Sequence, residues 1–353
     1  GSTGMGYAVG RGLGQKRLAL LGEYRSELSG LSGLRIYDRM RKSDPKVSGL
    51  RRVHNSSLLA AGVRIDPADP KDDQAIEVAA FCQKKLLSGA PGGIIDSWDT
   101  NLQQFLLHLD FGHAPFEICW VRSELDGKAI IERFAYRPPK TITDIYVERG
   151  RIARATQSTL TGEPAVDIPG EKLLWFCHER EGDDFRGLPM LRAMYKPWYN
   201  KERAEIQLMI LLDKQGGMPW AKEVGPLTNE ERDELDAALE ALHISERGFM
   251  RTTDSIELDM LASTITLGDG LEMVKYWDQQ LSIVSQQQFR ELGQAPNGSR
   301  ALSMTLSDMY LNGLGSSAKS IEDAFNAPEG PIHQLVANNF PNADDLVPAL
   351  RFA

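Results

Sequence analysis

Cysteine is scarce: Cys82, Cys119 and Cys177 are the whole supply in 353 residues. An odd, widely spaced set builds neither a disulfide framework nor a zinc site, so the three read as buried thiols in a reducing compartment. Long apolar runs are missing too. The longest in a helix-like segment is Leu208–Leu212, far short of the roughly 20 residues that span a bilayer. No charged-then-apolar leader opens the sequence, and Gly1–Gly4 are left out of fold reasoning. Catalytic signatures are also lacking. There is no Gly-x-Ser-x-Gly elbow, no Gly-x-x-x-x-Gly-Lys-[Ser/Thr] loop and no His-Glu-x-x-His pair. His54, His108, His113, His243 and His333 are scattered and read as packing or surface residues. A net positive charge is absent as well: the balance is -9, the wrong sign for a protein that grips phosphates.

What is present is a folded chain, 42% hydrophobic and 25% charged, long enough for a large domain or for two to three ordinary ones. Its charge is uneven. Residues 1–70 hold 12 Lys+Arg against 6 Asp+Glu, and residues 222–280 hold 5 against 14. A basic region and a strongly acidic region suit docking partners, or in the plainer reading a solvated acidic face.

The apolar pattern changes period along the chain. Asp44-Pro45 predicts a helix start, followed by Val47, Leu50, Val53, Leu58 and Leu59 at helical spacing and a short strand ending at Pro67. Asp72–Leu87 reads as a second amphipathic helix. A third runs from a Ser97 cap to a Gly112 stop. From about 115 to 178, alternating β-branched and aromatic residues predict a block of hairpins, broken at Asp126-Gly127, Pro138-Pro139, Gly150, Gly162 and Pro169-Gly170. Helices then return. Pro197 predicts either two helices meeting there or a kink. Thr228 with Glu231 forms a capping box for the next helix. "GFMRTTDSIELDMLAS" is strand-like. A long helix begins near Asp269, and its polar face is rich in glutamine: Gln279, Gln280, Gln286, Gln287 and Gln288. A neutral amide face suits helix–helix contact or a surface that does not hold a passing polyanion, though glutamine is also simply a good helix former. The C-terminal stretch predicts helical turns broken by Gly and Pro.

Two segments invite a chemical reading. "ELGQAPNGSRALS", Glu291–Ser303, is glycine-rich, but a helix leads into it and it has no lysine, so it fails both nucleotide-loop patterns. "HEREGDDFRG" gathers His178, Glu179, Glu181, Asp183 and Asp184. These could hold a hard cation as in a metal-dependent nuclease, yet the spacing matches neither an EF-hand nor a His-Glu-x-x-His site, and a solvated acidic turn is the plainer reading. Lys196, Lys201 and Arg203 lie on a helix with an apolar opposite face. They are candidates for contact with a DNA backbone, or surface charges for solubility.

Four segments in order carry a family likeness: "DPKVSGLRRVHNSSLLAAGVRIDP"; "FGHAPFEICW"; "YRPPKTI" leading into "GEKLLWFCHEREGDDFRGLPMLRAMYKPWYNKERAEIQLMILLDKQGGMPW"; and "LGQAPNGSRALSMTLSDMY", followed by "LVANNFPN". Over roughly residues 35–345 the chain resembles the portal proteins of tailed bacteriophages of the Mu-like and mycobacteriophage kind. The resemblance implies an α+β portal fold: a mixed helix–strand wing at 1–188, a stem helix region at 189–217, an α/β clip at 218–268, a second stem helix at 269–293, a tunnel loop at 294–303, and C-terminal wing helices at 304–353 with a short or absent crown. It implies a self-assembled ring, usually a dodecamer, at the capsid vertex of the virion, assembled in the host cytoplasm. Double-stranded DNA would be packaged and ejected through it. The implied partners are the major capsid protein, the terminase large subunit and a head–tail adaptor. Neither cofactor nor catalytic residue is implied. Gln294, Asn297, Gly298, Ser299 and Arg300 would face the channel, and Glu230, Glu231, Asp233 and Glu234 of the acidic clip would serve docking. A different ring-forming head–tail connector or tail protein is the nearest alternative, and a nuclease using residues 178–184 a more distant one.

Overall fold

The computed structural model describes residues 23–89, 92–159, 164–213, 218–243, 256–261, 267–289, 300–341 and 343–353. The chain divides into two compact units: Gly1–Tyr195 with Ser282–Ala353, and Lys196–Leu281.

The first unit opens with helix α1 (Gly30–Ser43), which the sequence reading did not single out. Helix α2 (Pro45–Ala61) starts where Asp44-Pro45 predicts: the Asp44 carboxylate accepts the Val47 amide, and Pro45 fills a position that has no bond to lose. Val47, Leu50, His54 and Leu58 form its buried stripe. Strand β1 (Val63–Asp66) follows, then helix α3 (Asp73–Leu86), capped by Asp72 on the Gln74 amide. The expected third helix is two. Ser97 caps α4 (Trp98–Phe105), the chain breaks at Leu106, and α5 (Leu107–Phe111) ends at Gly112. Gly112 has φ +82°, and a Cβ there would lie 2.5 Å from the Arg186 carbonyl oxygen, so only glycine fits.

The predicted hairpin block holds six strands: β2 (His113–Arg122), β3 (Ala129–Tyr136), β4 (Ile142–Glu148), β5 (Arg151–Gln157), β6 (Val166–Pro169) and β7 (Leu173–Cys177). They form two antiparallel sheets, ordered β3-β2-β7 and β4-β5-β6. The inner face of the first sheet meets α4 around Phe105. Its ring lies 4.9 Å from Phe116, 4.8 Å from Phe176 and 5.6 Å from Phe134. Phe325 and Trp98 complete this aromatic centre.

Helix α6 (Met190–Asp213) runs unbroken through Pro197, so neither a split into two helices nor an interruption of the helical run occurs there. Strand β8 (Met218–Glu223), helix α7 (Asn229–His243), strand β9 (Ile256–Leu261) and helix α8 (Leu267–Val284) follow. Strands β8 and β9 pair antiparallel, Met218 opposite Leu261 through Glu223 opposite Ile256.

The C-terminal part also differs from expectation. Helix α9 (Arg300–Asn326) is continuous through Gly313 and Gly315. Gly313 has a packing reason: a Cβ there would sit 2.6 Å from the Gln286 side-chain oxygen. After α10 (Pro331–Asn339) comes a strand that the periodicity did not reveal, β10 (Ala349–Phe352). It pairs antiparallel with β1, Val63 opposite Phe352. Asn326 clamps it from α9, accepting from the Leu350 amide and donating to its carbonyl.

Candidate functional site

The residues expected to form stem and clip lie mainly in the second unit, on α6 and α8, each with one end in the first unit, and on the β8–β9 hairpin with its helix α7. Helices α6 and α8 are joined by a charge and by a close approach. Lys201 is 5% exposed, and its ammonium lies 2.8 Å from the Asp278 carboxylate and 3.9 Å from Glu205. Gly270 of α8 touches the Leu208 side chain of α6 so closely that a Cβ would lie 2.6 Å from Leu208 Cδ1. A buried lysine persists only with such a partner, since an unpaired ammonium away from water is costly.

This placement corrects one expectation. Lys201 is committed inside the helix pair and does not present its charge at the surface. The i,i+4 relation to Glu205 is readable in the sequence, but Asp278, 77 positions further on, is not. Lys196 and Arg203 are exposed. Arg203 lies over the Tyr199 ring at 5.6 Å and reaches its hydroxyl at 3.4 Å.

Both helices carry large apolar side chains in water. On α6, Ile206 is 55% and Met209 62% exposed, with Ile210 and Leu212 also open. On α8, Leu271, Met273 and Tyr276 are each about half exposed. Residues 206, 209 and 210 share one face at i, i+3, i+4 spacing. The sequence showed an apolar face on this helix, but not that these side chains stay open among the described residues.

The glutamine-rich face is shorter than predicted. Regular helix α8 ends at Val284, and Gln286 takes a left-handed φ of 58°. Gln287 is buried and donates to the Leu50 carbonyl at 2.9 Å. Gln279 and Gln280 remain on the helix.

The acidic hairpin unit is well capped. The Thr228 amide donates to Glu231 at 2.8 Å, and the Glu231 amide donates back to the Thr228 hydroxyl at 3.3 Å. The Thr228 amide and hydroxyl, both donating to the carboxylate, hold the Glu231 carboxyl below its usual range. Arg232 forks onto Glu223 with two bonds of 2.9 Å, which likewise lowers the Glu223 carboxyl. Glu230, Asp233 and Glu234 are exposed on α7. Of the docking candidates, only Glu231 is thus engaged in holding its own helix.

Of the channel candidates, Gln294, Asn297, Gly298 and Ser299 lie outside the described residues. Arg300 is the first residue of α9, so it opens a helix instead of sitting in mid-loop. Among the carboxylates at 178–184, Asp184 accepts from the Arg186 amide, and Glu179 lies 4.0 Å from His178. Among the described residues no group of three or more His, Cys, Asp or Glu is arranged to hold a metal ion. None of the described helices is long and apolar enough to cross a membrane.

A two-helix pair with a small α/β hairpin inserted into a larger α+β unit is a distinctive arrangement, and it can be compared with known proteins. The family profile described as "Portal protein of Mu bacteriophage" matches residues 34–353. The chain belongs to that family. No curated protein sequence matches it significantly. Solved structures do. The neck of an empty gene transfer agent particle, computed with C6 symmetry, contains a chain that aligns with a TM-score of 0.55 at 11% identity, covering 89% of this chain and 82% of that one. An HK97-family phage portal protein from Corynebacterium diphtheriae aligns with a TM-score of 0.54 at 12% identity, covering 88% and 92%. A chain from the native gene transfer agent virion aligns at 0.53 and 10%, covering 95% and 88%. At such identities the likeness is one of fold, and the fold is the portal fold. The family model supplies the function, that of a portal protein in a phage capsid. Portal proteins of this family are structural.

Proposed function

We propose that this portal protein assembles into a ring of identical subunits, a dodecamer, at one vertex of the virion capsid, and that double-stranded DNA is packaged and ejected through the ring. One observation carries this reading: the second unit leaves a row of large apolar side chains open on both α6 and α8. Monomeric proteins seldom leave such surface in water, and a neighbouring copy of the same helix pair would bury it. A neck solved with C12 symmetry is among the similar structures, at a TM-score of 0.53 and 10% identity, which fits a cyclic assembly of this size.

In this reading α6 and α8 are the stem and β8, α7 and β9 the clip, with the tunnel loop running from residue 294 to the start of α9. The overall acidity suits a conduit, because each firm phosphate contact would slow passage. The exposed carboxylates Glu230, Asp233 and Glu234 offer docking charge to the terminase large subunit before ejection and to a head–tail adaptor after packaging. The wing-like unit meets the major capsid protein. The subunits are made and assembled in the host cytoplasm, and the ring performs no chemistry of its own. Arg300 is the candidate for transient phosphate contact.

Electron microscopy of the purified protein tests the ring: closed particles with a central hole and about a dozen subunits are expected, and a persistent monomer in the presence of capsid protein would count against it. Arg300→Glu tests the channel role. Shortened packaged DNA or slowed ejection is expected, and unchanged packaging and ejection would remove Arg300 from it.

A further inference from the structure

In the first unit, α1, α5 and the turn after β3 line an open recess of about 180 Å³. Arg41, Lys42 and Lys140 surround its single acid, Asp38, and the rings of Phe111 and Tyr136 form apolar walls. The three cations converge on one carboxylate. Arg41 donates to Asp38 Oδ1 at 2.8 Å, while Lys42 and Lys140 share Oδ2 at 2.9 and 2.6 Å. Arg41 also lies 3.9 Å from Asp110, whose two oxygens are already taken by the fork of Arg51.

The local charges do not cancel. Arg41, Arg51, Lys42 and Lys140 bring four positive charges against the two negative charges of Asp38 and Asp110. The donors do not cancel either. An ammonium has three N–H groups, and Lys42 and Lys140 each use one on Asp38. The stranded side is therefore cationic, rich in unused donors, and backed by aromatic walls. A phosphate monoester carries about -1.5 to -2 charges at neutral pH and three acceptor oxygens, which matches a surplus of two charges. A backbone diester in duplex DNA carries only one charge per phosphate and presents it on a broad convex rod, a poor fit to a recess of this volume.

We propose that this recess is an anion site for a phosphate group, either inorganic phosphate or a phosphate monoester, held by Lys42, Lys140 and Arg41. Asp38 then acts as the internal counter-ion that keeps the cations gathered while the site is empty.

The test is calorimetric titration of the intact protein with inorganic phosphate and, separately, with phenyl phosphate, against sodium chloride of matched ionic strength. Saturable binding at one site per chain is expected, weakened about tenfold by Lys42→Gln and about tenfold by Lys140→Gln, the loss of one charge-assisted bond each. Lys42 is 64% exposed, so its variant tests binding in a chain whose fold is unchanged, checked by circular dichroism and melting in chloride. Tighter binding of phenyl phosphate supports a monoester that uses the aromatic walls, and equal binding supports inorganic phosphate. Heat no different from chloride, or binding unaffected by either variant, overturns the site. So does a duplex oligonucleotide that competes at equal phosphate concentration through the same two lysines, because it would make this a DNA surface.

Discussion

The two units of the molecule use their apolar residues in opposite ways. The first gathers its aromatic rings inward: Phe105, Phe116, Phe176 and Phe325 are all at most 1% exposed and pack around one another. The second, among its described residues, leaves Ile206, Met209 and Tyr276 in water. The first unit therefore contains most of what stabilises it. Among its described residues, the second joins its helix pair through the buried Lys201–Asp278 ion pair and a close Gly270–Leu208 approach, and leaves further apolar side chains open. In a single chain, open apolar surface marks the part whose final burial comes from assembly.

Four measurements sharpen or break that contrast, in order of their effect on unfolding free energy. Phe105→Ala should cost the first unit about 3–5 kcal/mol, the usual range for emptying a buried aromatic site, read from denaturant midpoints. A loss under ~1 kcal/mol would mean the aromatic centre is not what holds this unit.

Acid should act selectively on the first unit, and the share carried by His54 alone ranks next. Burial holds the His54 and His113 imidazoles down at about 4 and His108 at about 3. In the unfolded chain they take up protons near pH 6.5 while in the folded chain they stay neutral. Their contribution is thus complete above pH 6.5 and falls as pH drops toward 4, by about 1.4 kcal/mol per pH unit for each histidine. His54→Asn should flatten part of that slope in a series of melts between pH 7 and 4. An unchanged slope would show that His54 is solvated.

Thr228→Ala removes the hydroxyl side of the capping box, leaves the amide bond to Glu231 in place, and should cost α7 about 1 kcal/mol, seen as faster amide exchange over its first turn. The first unit should not respond. The smallest effect on unfolding, within about 0.5 kcal/mol, is expected of Ile210→Glu, because the site is already open to water. Yet it should abolish closed rings in electron micrographs. Rings that persist would place the subunit contact elsewhere.

Local chemistry made much of this legible. Asp44-Pro45, Ser97 and Thr228 with Glu231 mark helix starts because a cap satisfies amides within three residues, and that information is in the sequence itself. The hairpin block was visible through its period of two. What escaped depended on distant partners. Strand β10 is short and exists because β1, far away in sequence, offers an edge. Lys201 looked like a surface cation until Asp278 came to meet it. Helix α9 runs through Gly313, where the Gln286 side chain lies in the space a Cβ would take, so a residue that reads as a breaker is a point of contact inside a helix. Pro197 remained inside α6 against its local preference, as tertiary context allows. The family likeness reached the function through motif order, which no single element could have supplied.

The pairing of β1 with β10 also sets a timetable. During synthesis the second unit, Lys196–Leu281, has every residue it needs before α9 has left the ribosome. The first unit begins earlier but cannot close until Phe352 has emerged, because Val63 waits for it and Asn326 has no strand to clamp until then. The unit with the aromatic centre is the later one to finish. The unit with the open apolar helices therefore has all its residues out during that interval, ahead of the strand that closes the other.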